Sequence, residues 1–480
     1  MAESIAKKAV KGTVWSAIDK FGVMALQFLI YVVLARLLSP EDFGALNMIM
    51  IFIWVSMTCV DGGFGSALVQ KKHSTQTDYS TIFFWGAGIG LFFYILIFVG
   101  SGPIANFYDM PILKPVMRTI GITLIFTGMA STQTARLQKQ LRFRELAIVN
   151  VGTYILAGIL AILMAFNGYG IWSLVGLTMT QTIGKVLILY VTTQWLPSLV
   201  FSVKAFKRLF SFSGFLFLNN VMETISNNIQ GIIIGKKFNA TELGYYSQAY
   251  RLEFITGTSI PQIIAVVMYP IFSQFQYDKP KLREIIALDH RVVSFIIYPL
   301  LTVLIIVAPY IISLIYGDKW LPAVPYYRIL MCGAFFICLK NINSYAVAAC
   351  GKSKALFYAT IYQWCVLAVL LVIGSHYGMI GIVWAFAINM FNIFLSYATL
   401  SKIHTGQPFS AIIKAIFPSV ALCLLTAIPT ILIARYTLIW WPINVVFFAF
   451  IYLLLAKLFR VKAFSESISL IRKVVDKRNH

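Results

Sequence analysis

Apolar residues run through this chain in stretches of about twenty, separated by short polar connections, from residue 13 to residue 458. An α-helix rises about 1.5 Å per residue, so about 20 mostly apolar residues are needed to cross bilayer hydrocarbon. On that criterion the pattern predicts spans near 13–37, 43–69, 79–101, 116–134, 146–166, 170–192, 211–235, 244–270, 291–315, 326–349, 355–374, 379–400, 412–434 and 438–458. The connections leave no room for an extramembrane domain. The predicted fold class is an all-α polytopic membrane protein with about 14 transmembrane helices. The opening Met1–Gly12 reads as a short basic amphipathic segment, and the first apolar run is too long for a signal peptide's apolar region and lacks its small-residue cleavage site.

The pattern repeats. Ala35-Arg-Leu-Leu-Ser-Pro-Glu-Asp-Phe-Gly44 precedes Gly235-Lys-Lys-Phe-Asn-Ala-Thr-Glu-Leu-Gly244 by 200 residues, and Arg142 and Arg144 precede Lys352 and Lys354 by 210. Tyr169-Gly170 is matched by Tyr377-Gly378, and the loop Pro103…Tyr108-Asp109…Pro115…Arg118 by Pro309…Tyr316…Asp318…Pro325…Arg328. Six spans per copy is an even number, so the copies keep one orientation and are related by an axis along the membrane normal. The expected organisation is 1–200 as an N-lobe, 201–405 as a C-lobe, 406–460 as a C-terminal helix pair and 461–480 as a basic cytoplasmic tail.

Composition sharpens the class. The chain is 59% hydrophobic and only 12% charged, with a mean hydropathy of +0.82, where soluble domains carry about 25% charged residues. The net charge of +22 is spread over many short loops, which argues against a nucleic-acid groove. Twenty-seven Lys and Arg fall on the side that holds both termini and eight on the other. The positive-inside rule then makes both termini cytoplasmic. The six cysteines lie in or at the ends of apolar runs with no CxxC pair, and read as buried hydrophobes rather than metal or redox groups.

Four cations lie inside these spans: Lys20, Lys185, Arg251 and Lys340. Each would cost roughly 2.5–3.5 kcal/mol against lipid, so they are expected to line a wet internal cavity that receives something anionic. Structural ion pairing or snorkelling to the headgroups is the alternative, Lys185 being within snorkelling reach. Asp19, Asp61, Glu223 and Glu253 are candidates for pairing with these cations or for ion coupling. Glu223 shares a helical face with Asn220, Asn227 and Gln230, which reads as cavity lining or as polar packing between helices. Asp61 precedes Gly62-Gly63 and reads equally as a gate hinge or a helix end. Further polar stripes are Thr178, Gln181 and Lys185; Asn341, Ser344 and Tyr345; and Asn389, Asn392 and Ser396.

The stretches Gly12-Thr-Val-Trp-Ser…Leu34-Ala-Arg-Leu-Leu-Ser-Pro-Glu-Asp-Phe-Gly44 and Asp61-Gly-Gly-Phe-Gly-Ser-Ala-Leu-Val-Gln70 resemble the polysaccharide-transport (Wzx-type oligosaccharide flippase) family of the multidrug/oligosaccharidyl-lipid/polysaccharide exporter superfamily. The resemblance implies a V-shaped, two-lobed carrier in the bacterial inner membrane. Such a carrier flips an undecaprenyl-pyrophosphate-linked oligosaccharide repeat to the outer leaflet, with polymerase and chain-length machinery as candidate partners. It also implies a lateral portal framed by helices one and eight, which puts Lys20 and Arg251 in the places of the family's cavity cations. No P-loop, HExxH or GxSxG motif occurs, so no catalytic residue, metal or cofactor is expected. A cation-coupled drug exporter of the same fold and a membrane-embedded polymerase or ligase remain as alternatives.

Overall fold

The computed structural model describes residues 2–436, 441–467 and 469. Among them no strand occurs, and ten stretches are long and apolar enough to cross a membrane. One of the ten, 353–405, consists of two helices joined by a single 3-10 turn, Ser375–Tyr377. The predicted spans at 116–134, 211–235 and 244–270 are not among the ten, because there the chain is interrupted or polar. The first is split into two helices at Ile122, and the second is broken at Ile229. The third contains a π-helical turn, Phe254–Ser259.

The chain forms two compact units, Met1–Gly244 and Tyr245–His480. The first holds α1 (Ala2–Leu37), α2 (Pro40–Asp61), α3 (Phe64–Gln70), α4 (Gln76–Phe107), α5 (Leu113–Gly121), α6 (Thr123–Lys139), α7 (Phe143–Phe166), α8 (Ile171–Thr193), α9 (Val203–Asn228) and α10 (Gln230–Lys237). Helix α11 (Ala240–Glu253) leads into the second. There follow α12 (Ile260–Gln274), α13 (Lys279–Ile306), α14 (Ala308–Tyr316), α15 (Val324–Ala349), α16 (Ser353–Gly374), α17 (Gly378–Thr405), α18 (Phe409–Tyr436) and α19 (Trp441–Leu458).

Local chemistry sets the helix ends. The Ser-Pro-Glu-Asp run of the first repeated motif is a capping box. The Asp42 backbone N–H donates to Ser39 Oγ at 3.2 Å, the Ser39 N–H donates to Asp42 Oδ2 at 3.0 Å, and Pro40 stands at the first helical position. Helix α2 stops at Gly62 and Gly63, both left-handed with φ of 54° and 71°, so Asp61 is a helix-end residue. Thr75 and Asp78 cap α4 in the same way. Asp78 is 1% exposed and pairs with the Lys71 ammonium, while Lys139 of α6 donates to Leu68 O at 3.0 Å and to Ser74 Oγ at 2.6 Å. Burial, with the Lys71 charge beside it, pushes the Lys139 amine below its ordinary range. This knot fixes the connection between α3 and α4 against the end of α6. Phe64, Leu68, Tyr79, Phe83 and Trp195 pack beneath it.

The repeated motifs meet. A Cβ added to Gly44 would lie 1.6 Å from the Ala240 carbonyl oxygen, and one added to Gly244 would lie 2.0 Å from that of Pro40. Helix starts α2 and α11 thus touch backbone to backbone, a closeness that membrane helices reach only through small residues. In the second unit α15 packs along α17, and α13 packs along α15 and α18.

Overpacking at such a joint costs about 1–3 kcal/mol or more. Gly44→Ala and Gly244→Ala are each expected to lower the thermal unfolding midpoint of the detergent-solubilised protein. Gly88→Ala, where a Cβ meets nothing within 4 Å, is expected to leave it unchanged or raised. Equal midpoints for all three variants would contradict the tight joint.

Candidate functional site: a polar cavity among five helices

Within the first unit a cavity of about 810 Å³ opens between α2, α3, α6, α8 and α9. Helical spacing explains its character. On α6, Thr127, Ser131, Thr134 and Gln138 recur at four, three and four residues and so share one face, and that face lines the cavity. Helix α2 contributes Thr58 and Asp61, one turn apart, and α8 contributes Gln181, Thr182 and Lys185. From α9 come Asn220, Glu223, Thr224 and Asn228.

Direct bonds tie this wall together. Ser131 Oγ donates to Asp61 Oδ1 at 2.6 Å, and the Thr58 and Thr224 hydroxyls lie 3.0 Å apart. An acid in the last turn of a helix opposes the helix dipole, by about 0.3–1 kcal/mol. Asp61 is held in that place by its bond across to α6 and by the nearby cation: the carboxylates of Asp61 and Asp19 are both electrostatic neighbours of the Lys185 ammonium. Asp19 itself, on α1, accepts two bonds from Asn150 Nδ2 of α7, at 3.0 and 3.1 Å.

Of the residues singled out from sequence, the structure gathers Asp61, Gln181, Lys185, Asn220 and Glu223 around this one space. Asp19 is not among the lining residues but is an electrostatic neighbour of Lys185. Lys20, the next residue on α1, is exposed and is not among the lining residues. The Asn227 side chain lies outside the described residues. Gln230 belongs to α10, because α9 stops at Asn228, and Asn228 takes the lining position instead. The lining carries two carboxylates and one ammonium among hydroxyls and amides, with Trp54, Met57, Ala130 and Ala135 as apolar members. The α6 stripe was missed from sequence, although its i, i+4, i+7, i+11 spacing was legible, because Thr and Ser scarcely interrupt an apolar run.

In the second unit Arg251 is half-buried, and Lys340 has its ammonium 6.0 Å from the centre of the Tyr397 ring. Glu253 is fully buried at the entrance to the π-helical turn. Its Oε1 accepts from Thr258 Oγ1 at 3.1 Å, and Oε2 has no partner among the described residues. The π-turn makes that bond, since it brings a residue five positions on back over the carboxylate. His290 is buried too, with Nδ1 2.8 Å from Ile286 O and Nε2 3.2 Å from Asn343 Nδ2. No group of three or more His, Cys, Asp or Glu side chains that could hold a metal ion occurs among the described residues.

A family profile described as "Polysaccharide biosynthesis protein" matches residues 33–325. The teichuronic acid biosynthesis protein TuaB of Bacillus subtilis (strain 168) is 27% identical, over 74% of this chain and 74% of its own length. The lipopolysaccharide biosynthesis protein WzxC of Escherichia coli (strain K12) is 23% identical, over 86% of this chain and 85% of its own. The solved structure of the lipid II flippase MurJ in an inward closed conformation aligns with a TM-score of 0.73 at 17% identity, covering 93% of this chain and 98% of that one. That likeness is one of fold.

A cavity lined this way should hold water, and a thiol reacts with maleimides as the thiolate, which needs water. In a background freed of the six native cysteines, Ser66→Cys and Thr224→Cys are expected to label with a hydrophilic maleimide. Val99→Cys, on the apolar outer face of α4, is expected to stay unlabelled. Protection of both cavity thiols would show the space to be dry.

Proposed function

The chain belongs to the polysaccharide biosynthesis protein family, and on that premise we propose that it is a flippase for a lipid-linked oligosaccharide, working by alternating access. The observation that carries this reading is the cavity itself: five helices of a membrane protein turn hydroxyls and amides towards one another around a single lysine. Hydroxyls and amides both donate and accept, as the hydroxyls of a sugar do. The lipid tail of such a substrate stays in hydrocarbon, so only its headgroup requires a polar lodging.

In this reading the substrate is an undecaprenyl-pyrophosphate-linked repeat unit moving from the cytoplasmic to the outer leaflet. Lys185 meets the diphosphate in the first unit, and Arg251 and Lys340 serve it in the second. Asp61, Glu223 and Glu253 either balance these cations or take up a coupling ion. Fourteen crossings with both termini cytoplasmic belong to the same reading. They are supported by the 27 to 8 bias of basic residues, and by the interrupted helices that fill the gaps between the ten apolar stretches. So do two six-helix lobes, supported by the repeat at a spacing of about 200 residues.

One observation favours a second reading, a cation-coupled multidrug exporter. The cavity lining holds two carboxylates to one ammonium, a balance suited to a cationic drug. The two readings separate in a deletion strain. A flippase leaves single lipid-linked units in the inner leaflet and drug susceptibility unchanged; an exporter leaves the sugars normal and broadens susceptibility.

A charge-assisted hydrogen bond contributes about 1.5–3 kcal/mol, equivalent to a ten- to hundredfold change in affinity. Lys185→Ala and Arg251→Ala are therefore expected to cut surface polysaccharide by about tenfold or more at undiminished protein abundance. Lipid-linked units should accumulate on the cytoplasmic side. Full surface polysaccharide in both variants would remove the cations from the mechanism.

A further inference from the structure

A second cavity, of about 450 Å³, lies wholly within the unit Tyr245–His480 and takes no part in the reading above. Its lining is divided by chemistry. At one end stand Arg291, Lys414 and Lys462; along its walls run Phe417, Pro418, Leu422, Leu425 and Phe459. The cationic end lies near the ends of two helices long and apolar enough to cross a membrane, Phe409–Leu432 and Trp441–Leu458. Lys414 lies in the second turn of α18, and Lys462 lies four residues beyond the end of α19. Arg291 follows the charged first half of α13, 279–290. From Lys414 to Leu425 the helix advances about 16 Å. That is roughly half of a hydrocarbon core about 30 Å thick, so the apolar wall is one leaflet deep.

The groove is preformed by bonds on three sides. Arg291 grips Glu466 with two parallel bonds, Nε to Oε2 at 2.9 Å and Nη2 to Oε1 at 2.7 Å, which hold the helical segment 462–467 against α13. The Ser294 and Ser419 hydroxyls lie 3.2 Å apart and join α13 to α18. Tyr452 donates to Phe295 O at 3.0 Å and joins α19 to α13. Pro418 has no N–H and sits inside α18, which interrupts that helix's hydrogen bonding at the groove wall.

Charge then selects the occupant. Glu466 already balances Arg291, which leaves the exposed Lys414 and Lys462 over the mouth of the groove, with Lys457 and Arg460 adjoining on the same turn of chain. A slot one leaflet deep, apolar within and doubly cationic at the headgroup level, matches a single lipid bearing net negative charge. A zwitterionic lipid would present its own cation to the same lysines. We infer that this groove binds one anionic phospholipid, its phosphate between Lys414 and Lys462 and an acyl chain along Phe417, Leu422 and Leu425. The assignment depends on the chain spanning a membrane and on nothing about what it transports.

The test is native mass spectrometry of the purified full-length chain in detergent, loaded with phosphatidylglycerol or with phosphatidylcholine of the same acyl chains. One phosphatidylglycerol is expected to survive delipidation while phosphatidylcholine is lost. Near a membrane surface each lysine is worth about a factor of five, so Lys414→Gln with Lys462→Gln is expected to weaken retention about thirtyfold. Leu425→Trp, which fills the groove and keeps both charges, should also release the lipid. Thermal midpoints of the lipid-free variants report whether the fold is retained, and Lys462→Gln alone, at an exposed site, gives an intermediate loss in a protein that folds. Lys185→Ala should retain the lipid in full, so that failure of the flippase reading and failure of this one are told apart. Equal retention of the two phospholipids, or undiminished retention by the double variant, would overturn the assignment. Displacement of phosphatidylglycerol by equimolar undecaprenyl phosphate would overturn it in favour of a carrier-lipid site.

Discussion

A polar side chain surrounded by hydrocarbon has nothing to bond to, and this one constraint organises the molecule. Every amide, hydroxyl and charge within a crossing helix must find a backbone carbonyl, another helix, or water. Thr and Ser commonly take the first course, as Thr81, Thr153 and Thr178 do by donating to carbonyls one turn back. Where several helices turn polar faces to a common side, the second and third courses combine and a cavity results. The bonds from Ser131 to Asp61 and between Thr58 and Thr224 are therefore both the glue and the lining. The same groups that join α2 to α6 and α9 are the groups a guest would meet.

Burial of charge follows the same rule with higher stakes. Asp78, almost wholly buried, is tolerated because it caps a helix and pairs with Lys71 at once. Glu253 is the contrasting case, with one oxygen served by a hydroxyl that only the π-turn can deliver and the other unserved among the described residues. Its setting is distinct from the multiply hydroxylated cavity that Asp61 and Glu223 line.

Much of this was legible in the order of residues. Long apolar runs require helices whatever their neighbours, so most spans were read within a few residues. The Ser-Pro-Glu-Asp run carries the signature of a capping box, although it was read only as a repeated motif, and the double glycine at Gly62 gives the helix end that was one of two readings for Asp61. What could not be read was azimuth. Asp19 and Lys20 are adjacent, about 100° apart around α1, so only one of them can face α7; Asn150 claims Asp19, and Lys20 is left exposed. Counting charges in a span says how many are there, not which way they point. The breaks at Ile122 and Ile229 were not read, although Gly121 stands beside the first and Gly231 two residues beyond the second.

The joint between the two repeated motifs has a mechanical consequence. Residue 40 faces 244 and residue 240 faces 44, so the arrangement is reciprocal about a local two-fold axis, as in an interface between identical partners. Each side offers the same bare backbone and the same missing methyl. A slip of one residue in either direction would bring Phe43 or Ala45, or Leu243, to a spot with room for no side chain at all. Helix starts joined in this way do not glide past one another. They are either seated in a single registry or fully parted, which gives the chain a snap fastener rather than a sliding bearing.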